Sequence, residues 1–394
     1  MNTASREAMR LAARMGDITP FHVMELMHRA QQLEAAGHSI VHMEVGEPDF
    51  PTPEPVIEAA RRFLSAGHVH YTPAMGLPRL RDSITAFYAT RYGVSVDPER
   101  VIVTSGASAA LLLALAVLVD PGDEVLLTDP GYPCNRNFVR LFGGRPRGMN
   151  VGAETAYQPT CEQVSAAWGN RTRALLLATP ANPTGTLIGD EVLSRIADGV
   201  RGHGGALLVD EIYHGLTYGT EAGTVLRYTD DAFVINSFSK YFGMTGWRLG
   251  WLIAPRPYVR EIEKLAQNLY ISPSAPAQHA ALAAFDAGTI AILESRRAQF
   301  QARRDFLVPA LRRLGFRVAT EPRGAFYVYA DISGIADDSH ALAMRLIDEA
   351  GVAITPGLDF GENAPERHVR LAYTTSLERI EAGVERIARF LGCP

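Results

Sequence analysis

Short apolar runs that stop at Gly, Pro, Asn or Asp alternate with longer helical patterns through the middle of this 394-residue chain, and that alternation most restricts its fold. The runs lie at 101–104, 124–127, 174–177, 206–209, 233–236 and 249–253. Strands spaced by helices predict an α/β architecture with a mainly parallel central sheet covered by helices. Ligands of open sheets of this kind gather outside the carboxyl ends of the strands, so a site is expected along that edge.

The ends of the chain read differently. A helical pattern at 21–36, a charged one at 292–314 and a strand-like run at 325–329 predict a smaller α+β domain assembled from both ends. The expected division is a large domain over 46–288 and a small one from 1–45 and 289–394. There is no internal repeat, and no Gly/Ser linker separates the parts.

The chain is 47% apolar and 21% charged, a profile that supports a sizeable buried core rather than disorder. A net charge of −5 without long runs of one sign argues against a grip on nucleic acid or an acidic membrane. Small-molecule partners are the expectation. The three cysteines, Cys134, Cys161 and Cys393, are odd in number and widely spaced, which suits neither a disulfide framework nor a zinc knuckle. His68 and His70 flank Val69 without cysteine partners, so no metal is expected. The opening residues lack an apolar signal core and the most apolar stretch, 107–119, is short for a span, so a cytoplasmic location is expected.

The most informative stretch is Ser237-Phe238-Ser239-Lys240, followed by Gly246-Trp247-Arg248-Leu249-Gly250. A lone lysine in a hydroxyl-rich turn after a strand is placed to lose solvent, which favours the neutral amine that attacks carbonyls. It reads as a Schiff-base lysine. The two serines and Arg248 supply donors and a fixed positive charge that suit a phosphate. An aldehyde and a phosphate together point to pyridoxal phosphate.

Other strand ends carry compatible chemistry, each with a plainer reading beside it. Thr104-Ser105-Gly106-Ala107-Ser108 opens an apolar helix, so its backbone N–H groups suit an anion, although a Ser cap in a tight turn explains the same residues. Asp210, at the end of 206–209, suits a pyridinium nitrogen, with Tyr213 three residues on, or simply caps the next helix. Thr179-Pro180-Ala181-Asn182-Pro183-Thr184-Gly185 predicts a loop of fixed geometry, with a possible cis bond, presenting Asn182. Tyr132 offers a face for stacking, or a core ring. Arg370, a guanidinium in the apolar run Val369–Tyr373, suits a carboxylate bidentately, or pairs with a buried acid.

These runs, together with Gly46-Glu47-Pro48-Asp49-Phe50, Tyr71-Thr72, Pro130-Gly131-Tyr132-Pro133, Asn182-Pro183-Thr184-Gly185 and Asp210-Glu211-Ile212-Tyr213, resemble the class I/II aminotransferases of the pyridoxal-phosphate-dependent fold type I, the aspartate aminotransferase superfamily. The resemblance implies that Lys240 carries the cofactor and shuttles the proton, that Asp210 pairs with the ring nitrogen, and that Asn182 and Tyr213 hold the ring hydroxyl. It implies that Ser105, Gly106, the amides of Ala107 and Ser108, Ser237, Ser239 and Arg248 form the phosphate site and that Tyr132 stacks on the ring. Arg370, Asn182 and the amide of Gly46 would take the substrate carboxylate. Tyr71 would reach the neighbouring subunit's phosphate, which makes a homodimer with shared sites.

The implied reaction is a ping-pong transfer of an amino group between an L-amino acid and a 2-oxo acid. In related aspartate enzymes a lysine just after the phosphate-loop glycines recognises the distal carboxylate, and Ser108 stands there instead. Ile18, Phe21, Tyr71 and Tyr132 are candidates for an apolar pocket, with alanine, branched or aromatic donors and 2-oxoglutarate or pyruvate as acceptor. A carbon–sulfur β-lyase on the same scaffold is the first rival. A cofactor-sensing regulator is a remote one, since the segment before Gly46 is short and not basic.

Overall fold

The computed structural model describes residues 10–393. Twelve strands among the described residues form three sheets: β1 Val41–His42, β2 Val101–Thr104, β3 Glu124–Asp129, β4 Arg145–Asn150, β5 Thr172–Ala178, β6 Ala206–Asp210, β7 Ala232–Ser237, β8 Gly250–Ile253, β9 Tyr327–Asp331, β10 Val352–Ala353, β11 Thr355–Pro356 and β12 His368–Ala372. The largest sheet runs β2-β8-β7-β6-β5-β3-β4. Its pairings are parallel except that β8 lies antiparallel to both β2 and β7. The sheet is α/β and mainly parallel, as the alternation of runs predicts.

Strands β2, β7 and β8 are buried at every residue, because helices cover both faces of the sheet. One apolar cluster, with Trp251, Phe238 and Leu207, fills one side, and a second, with Ile102, Leu176 and Leu252, fills the other. Strand β4 is the one central strand absent from the sequence reading. It sits at the sheet edge, mostly exposed, and its Arg-Pro-Arg-Gly-Met-Asn sequence carries no apolar run to announce it.

Six strands, β2, β3, β4, β5, β6 and β7, end on the same edge. The antiparallel β8 begins there, since Gly250 is in register with both Ser237 and Thr104. Arg248 is thereby returned to the edge where Ser105, Asp210 and Lys240 emerge.

The chain ends meet beside this edge. Strand β1 pairs with β10, and the antiparallel set β11-β12-β9 carries Arg370 at its centre, opposite Tyr329 on one side and Thr355 on the other. The helix His22–Ala35 lacks its own side-chain cap, and the Asp359 carboxylate supplies one by accepting the His22 and Val23 amides at 2.7 and 2.9 Å. The long helix Ala287–Arg313 runs along the molecule, and its Arg303 holds Asp49 through two bonds of 2.8 and 2.9 Å. No described helix is long and apolar enough to cross a membrane.

Candidate active site

A cavity of about 280 Å³ opens at the shared strand edge, between the large sheet and the small antiparallel one. Lys240, Asp210, Tyr213, Asn182, Tyr132, Ala107, Ser108, Gly46 and Arg370 all line it. They come from the ends of β2, β3, β5, β6 and β7, from the segment after β1 and from β12, so a set scattered over more than 300 residues of sequence converges on one space.

Lys240 donates from Nζ to the Gly46 carbonyl at 2.6 Å. Burial lowers its ammonium to about 8, with Glu47 working in the opposite direction. At neutral pH about a tenth of it is the free amine, enough to attack a carbonyl. Asp210 is buried and accepts the Ile212 amide at 3.0 Å. Burial pushes its carboxyl up to about 7, against the pull of that amide and of Lys240. A cation set against it would restore the carboxylate. Burial likewise raises the Tyr213 phenol, which shares a hydrogen bond of 2.9 Å with Tyr327.

Gly106 begins the helix Gly106–Ala116 at φ +81°, and a Cβ there would stand 2.6 Å from Arg248 Nη2. Side-chain-free backbone thus faces a guanidinium, which is the geometry of an anion cradle. Ser237 and Ser239 are buried and bonded to each other at 3.0 Å, and the Ser237 hydroxyl is also 3.0 Å from the Leu249 carbonyl. In the loop after β5, Pro180 and Pro183 both follow cis peptide bonds, and Pro130 does so after β3.

Arg370 is buried, and no carboxylate pairs with it among the described residues. It donates to Asn182 Oδ1 at 3.0 Å, to Thr355 Oγ1 at 3.2 Å and to the Glu44 carbonyl, while its Nε has no partner. The Tyr327 and Phe360 rings flank it at 4.4 and 4.9 Å. The plainer reading of this residue, a structural pair with a buried acid, therefore fails. A cation so placed is ready for an anion that arrives from outside.

Not every expected residue reaches the cavity. Tyr71 is 81% exposed and does not line it in a single copy of the chain, nor does Ile18. Phe21 does, joined by Val23, Met24, Met27, Leu111, Thr355, Asp359 and Phe360, none of which the sequence reading named. Tyr327 was missed as well, its sequence being legible only as part of an apolar strand. Cys134, Cys161 and Cys393 are free thiols. Ligand atoms of His22, Glu25 and His340 lie within 4.8 Å of one another, with Glu25 already paired to His340 at 3.3 Å.

Residues 38–387 match the model of the family described as aminotransferase class I and II. The chain is 38% identical to the valine–pyruvate aminotransferase of Mycobacterium tuberculosis over 97% of its length and 98% of that protein's. It is also 38% identical to the aspartate/prephenate aminotransferase of Thermus thermophilus, over 97% and 99% of the two chains. Among solved structures, an aminotransferase from Mycobacterium tuberculosis superposes with a TM-score of 0.94 at 38% identity, covering 98% of this chain and all of that one. The aspartate aminotransferase of Thermus thermophilus with maleate gives 0.92 at 37% identity, covering 97% of this chain and all of that one. The chain belongs to the class I and II aminotransferases, transaminases of the fold type I group that use pyridoxal 5'-phosphate.

Proposed function

We propose that this transaminase moves an amino group from an L-amino acid with an apolar side chain, alanine-like, branched or aromatic, to a 2-oxo acid such as 2-oxoglutarate or pyruvate in a ping-pong cycle. The observation that carries the substrate class is the wall of the cavity. Phe21, Val23, Met24, Met27, Leu111 and Phe360 line it, and among the described residues the only cations that do so are Lys240 and Arg370. With Lys240 assigned to the chemistry and Arg370 to the α-carboxylate, none is left for a distal carboxylate, and an apolar side chain gains by leaving water.

The residues fit the cofactor. Gly106 leaves room for an anion against Arg248, and Asp210 is a buried carboxyl that a cationic ring nitrogen would stabilise. In this reading Ser105, the amides of Ala107 and Ser108, Ser237, Ser239 and Arg248 hold the phosphate, Tyr132 stacks on the ring, and Asn182 and Tyr213 hold its hydroxyl. When bound, the cofactor supplies an aldehyde and an electron-withdrawing ring.

The protein's own groups do the rest. Arg370, with Asn182 and the Gly46 amide, clamps the α-carboxylate and fixes the substrate's orientation. Lys240 offers its neutral amine as nucleophile and, once free, carries a proton at Nζ to and from Cα. Asp210 holds a positive charge opposite it.

The chain divides, in this reading, into a large part over 46–288 and a small part from the remaining described residues, 10–45 and 289–393; 1–9 and 394, also expected in the small part, lie outside the described residues. Tyr71 and Arg248, both exposed in a single copy, suit a homodimer in which Tyr71 completes the partner's phosphate site.

The test is a panel of amino donors with 2-oxoglutarate or pyruvate, scored by loss of the bound cofactor's absorbance and by the oxo acid formed. Valine, alanine or phenylalanine should lead. A preference for aspartate would defeat the apolar-pocket reading, and pyruvate released from cystathionine without an acceptor would favour the β-lyase.

A further inference from the structure

Tyr327, at the start of β9, is buried and lines the cavity, yet no role has fallen to it so far. Three relationships meet on its ring. Its hydroxyl lies 2.9 Å from that of Tyr213, and both side chains are cut off from bulk water. A Cβ at Gly46 would fall within the Tyr327 hydroxyl, so Gly46, whose carbonyl accepts a hydrogen bond from Lys240, is the residue type this tyrosine permits. The Arg370 guanidinium stands over its face at 4.4 Å, and the two phenol rings meet edge to face at 5.7 Å.

A hydroxyl has one proton to give and two lone pairs to receive with. If Tyr213 spends its proton on the cofactor's ring oxygen, the 2.9 Å contact with Tyr327 must be one in which Tyr213 accepts. Tyr327 is then the donor. A phenol that accepts a hydrogen bond is polarised and becomes a stronger donor itself, and the effect is larger away from water. We propose that Tyr327 is a positioning residue that donates a hydrogen bond from its hydroxyl to Tyr213, thereby strengthening Tyr213 as a donor to the cofactor ring. This rests on the reading of Tyr213 given above.

The test is an absorbance titration of the reconstituted enzyme, which reads the proton affinity of the basic nitrogen beside the ring oxygen. A donor on that oxygen draws off electron density and lowers that affinity, so losing part of the donor raises it. Tyr327→Phe should move the titration midpoint up by about half to one pH unit. Tyr213→Phe should move it further in the same direction. The double variant should match Tyr213→Phe alone, because Tyr327 acts only through Tyr213. Fluorotyrosine in place of Tyr327, a more acidic donor of nearly the same size, should lower the midpoint and guards against a folding defect in the phenylalanine variant.

An unmoved midpoint in Tyr327→Phe beside a shifted one in Tyr213→Phe overturns the proposal, as does a double variant that shifts by the sum of the two. If Tyr213→Phe itself leaves the midpoint in place, the underlying assignment of Tyr213 fails, and the inference with it.

Discussion

Arg370 sets its Nη1 3.0 Å from Asn182 Oδ1, across 188 residues of sequence, and among the described residues no carboxylate pairs with its charge. Neutral acceptors alone hold the guanidinium in place, so the site is charged for an anionic ligand before that ligand arrives. Replacing Arg370 with leucine should lower kcat/KM for amino and oxo acids about 10²- to 10³-fold, the usual cost of breaking a buried charge interaction. Lysine should fall between, keeping the charge without the fork. The bound cofactor's absorbance should persist in both, and a loss under fivefold would count against the carboxylate role.

Lys240→Ala should abolish turnover while leaving cofactor binding in place, because the cradle at Gly106 and the carboxyl of Asp210 do not depend on the amine. Borohydride reduction followed by peptide mass analysis checks this. Label at Lys240 in the parent and none in the variant is the expected outcome, and near-normal transamination by the variant contradicts it.

Beneath the site, Glu211 is fully buried, bonded to Thr224 and to the Val225 amide at 2.9 Å each, with His214 at 3.4 Å. Burial raises its carboxyl from 4.5 to about 8, and raises that of Asp210 from 3.8 to about 7, while burial lowers His214 from 6.5 to about 3. Between pH 6.5 and 8 the extra protons held in the folded cofactor-free protein by Glu211, Asp210 and His42, whose imidazole is raised to about 9 by Glu44, outnumber those missing from His214 and from Lys240, so the folded state binds more protons than the unfolded chain. Its stability should fall as pH rises from 6.5 to 8, and Glu211→Gln should flatten that fall by up to about 2 kcal/mol. Denaturant melts at the two pH values measure it. Parallel slopes in the two proteins would mean that Glu211 ionises at an ordinary pH.

Ser108 lines the cavity at the first turn of the helix Gly106–Ala116. Ser108→Lys adds a third cation to a wall that, among the described residues, otherwise offers only Lys240 and Arg370. A charge-assisted bond to a distal carboxylate is worth about 1.5–3 kcal/mol, so kcat/KM for aspartate should rise at least about tenfold. An unchanged ratio of aspartate to valine would show that the side-chain pocket points elsewhere.

Strand ends were legible in the sequence because apolar runs stop abruptly there, and a parallel sheet aligns such ends on one edge. That made Lys240, Asp210, Asn182 and the Ser105–Ser108 turn readable together. The polar edge strand β4 had no such signature, and β8 betrayed its place in the sheet but not its reversed direction. The helix pattern at 21–36 was visible within a residue at each end of His22–Ala35, yet nothing local said that Met24 and Met27 face the cavity. That depends on Asp359, more than 330 residues away, capping the helix.

Local chemistry by itself determined the α/β class, the candidate lysine at the end of β7 and the loops beside it, since each depends on periodicity or on neighbours a few residues apart. Tertiary structure alone decided that Arg370 pairs with no acid among the described residues, that Tyr327 bonds Tyr213 across 114 residues, and that the cavity is walled with methionine and phenylalanine. Those depend on which surfaces meet when both chain ends close over the sheet edge, and burial, not sequence spacing, sets the charges there.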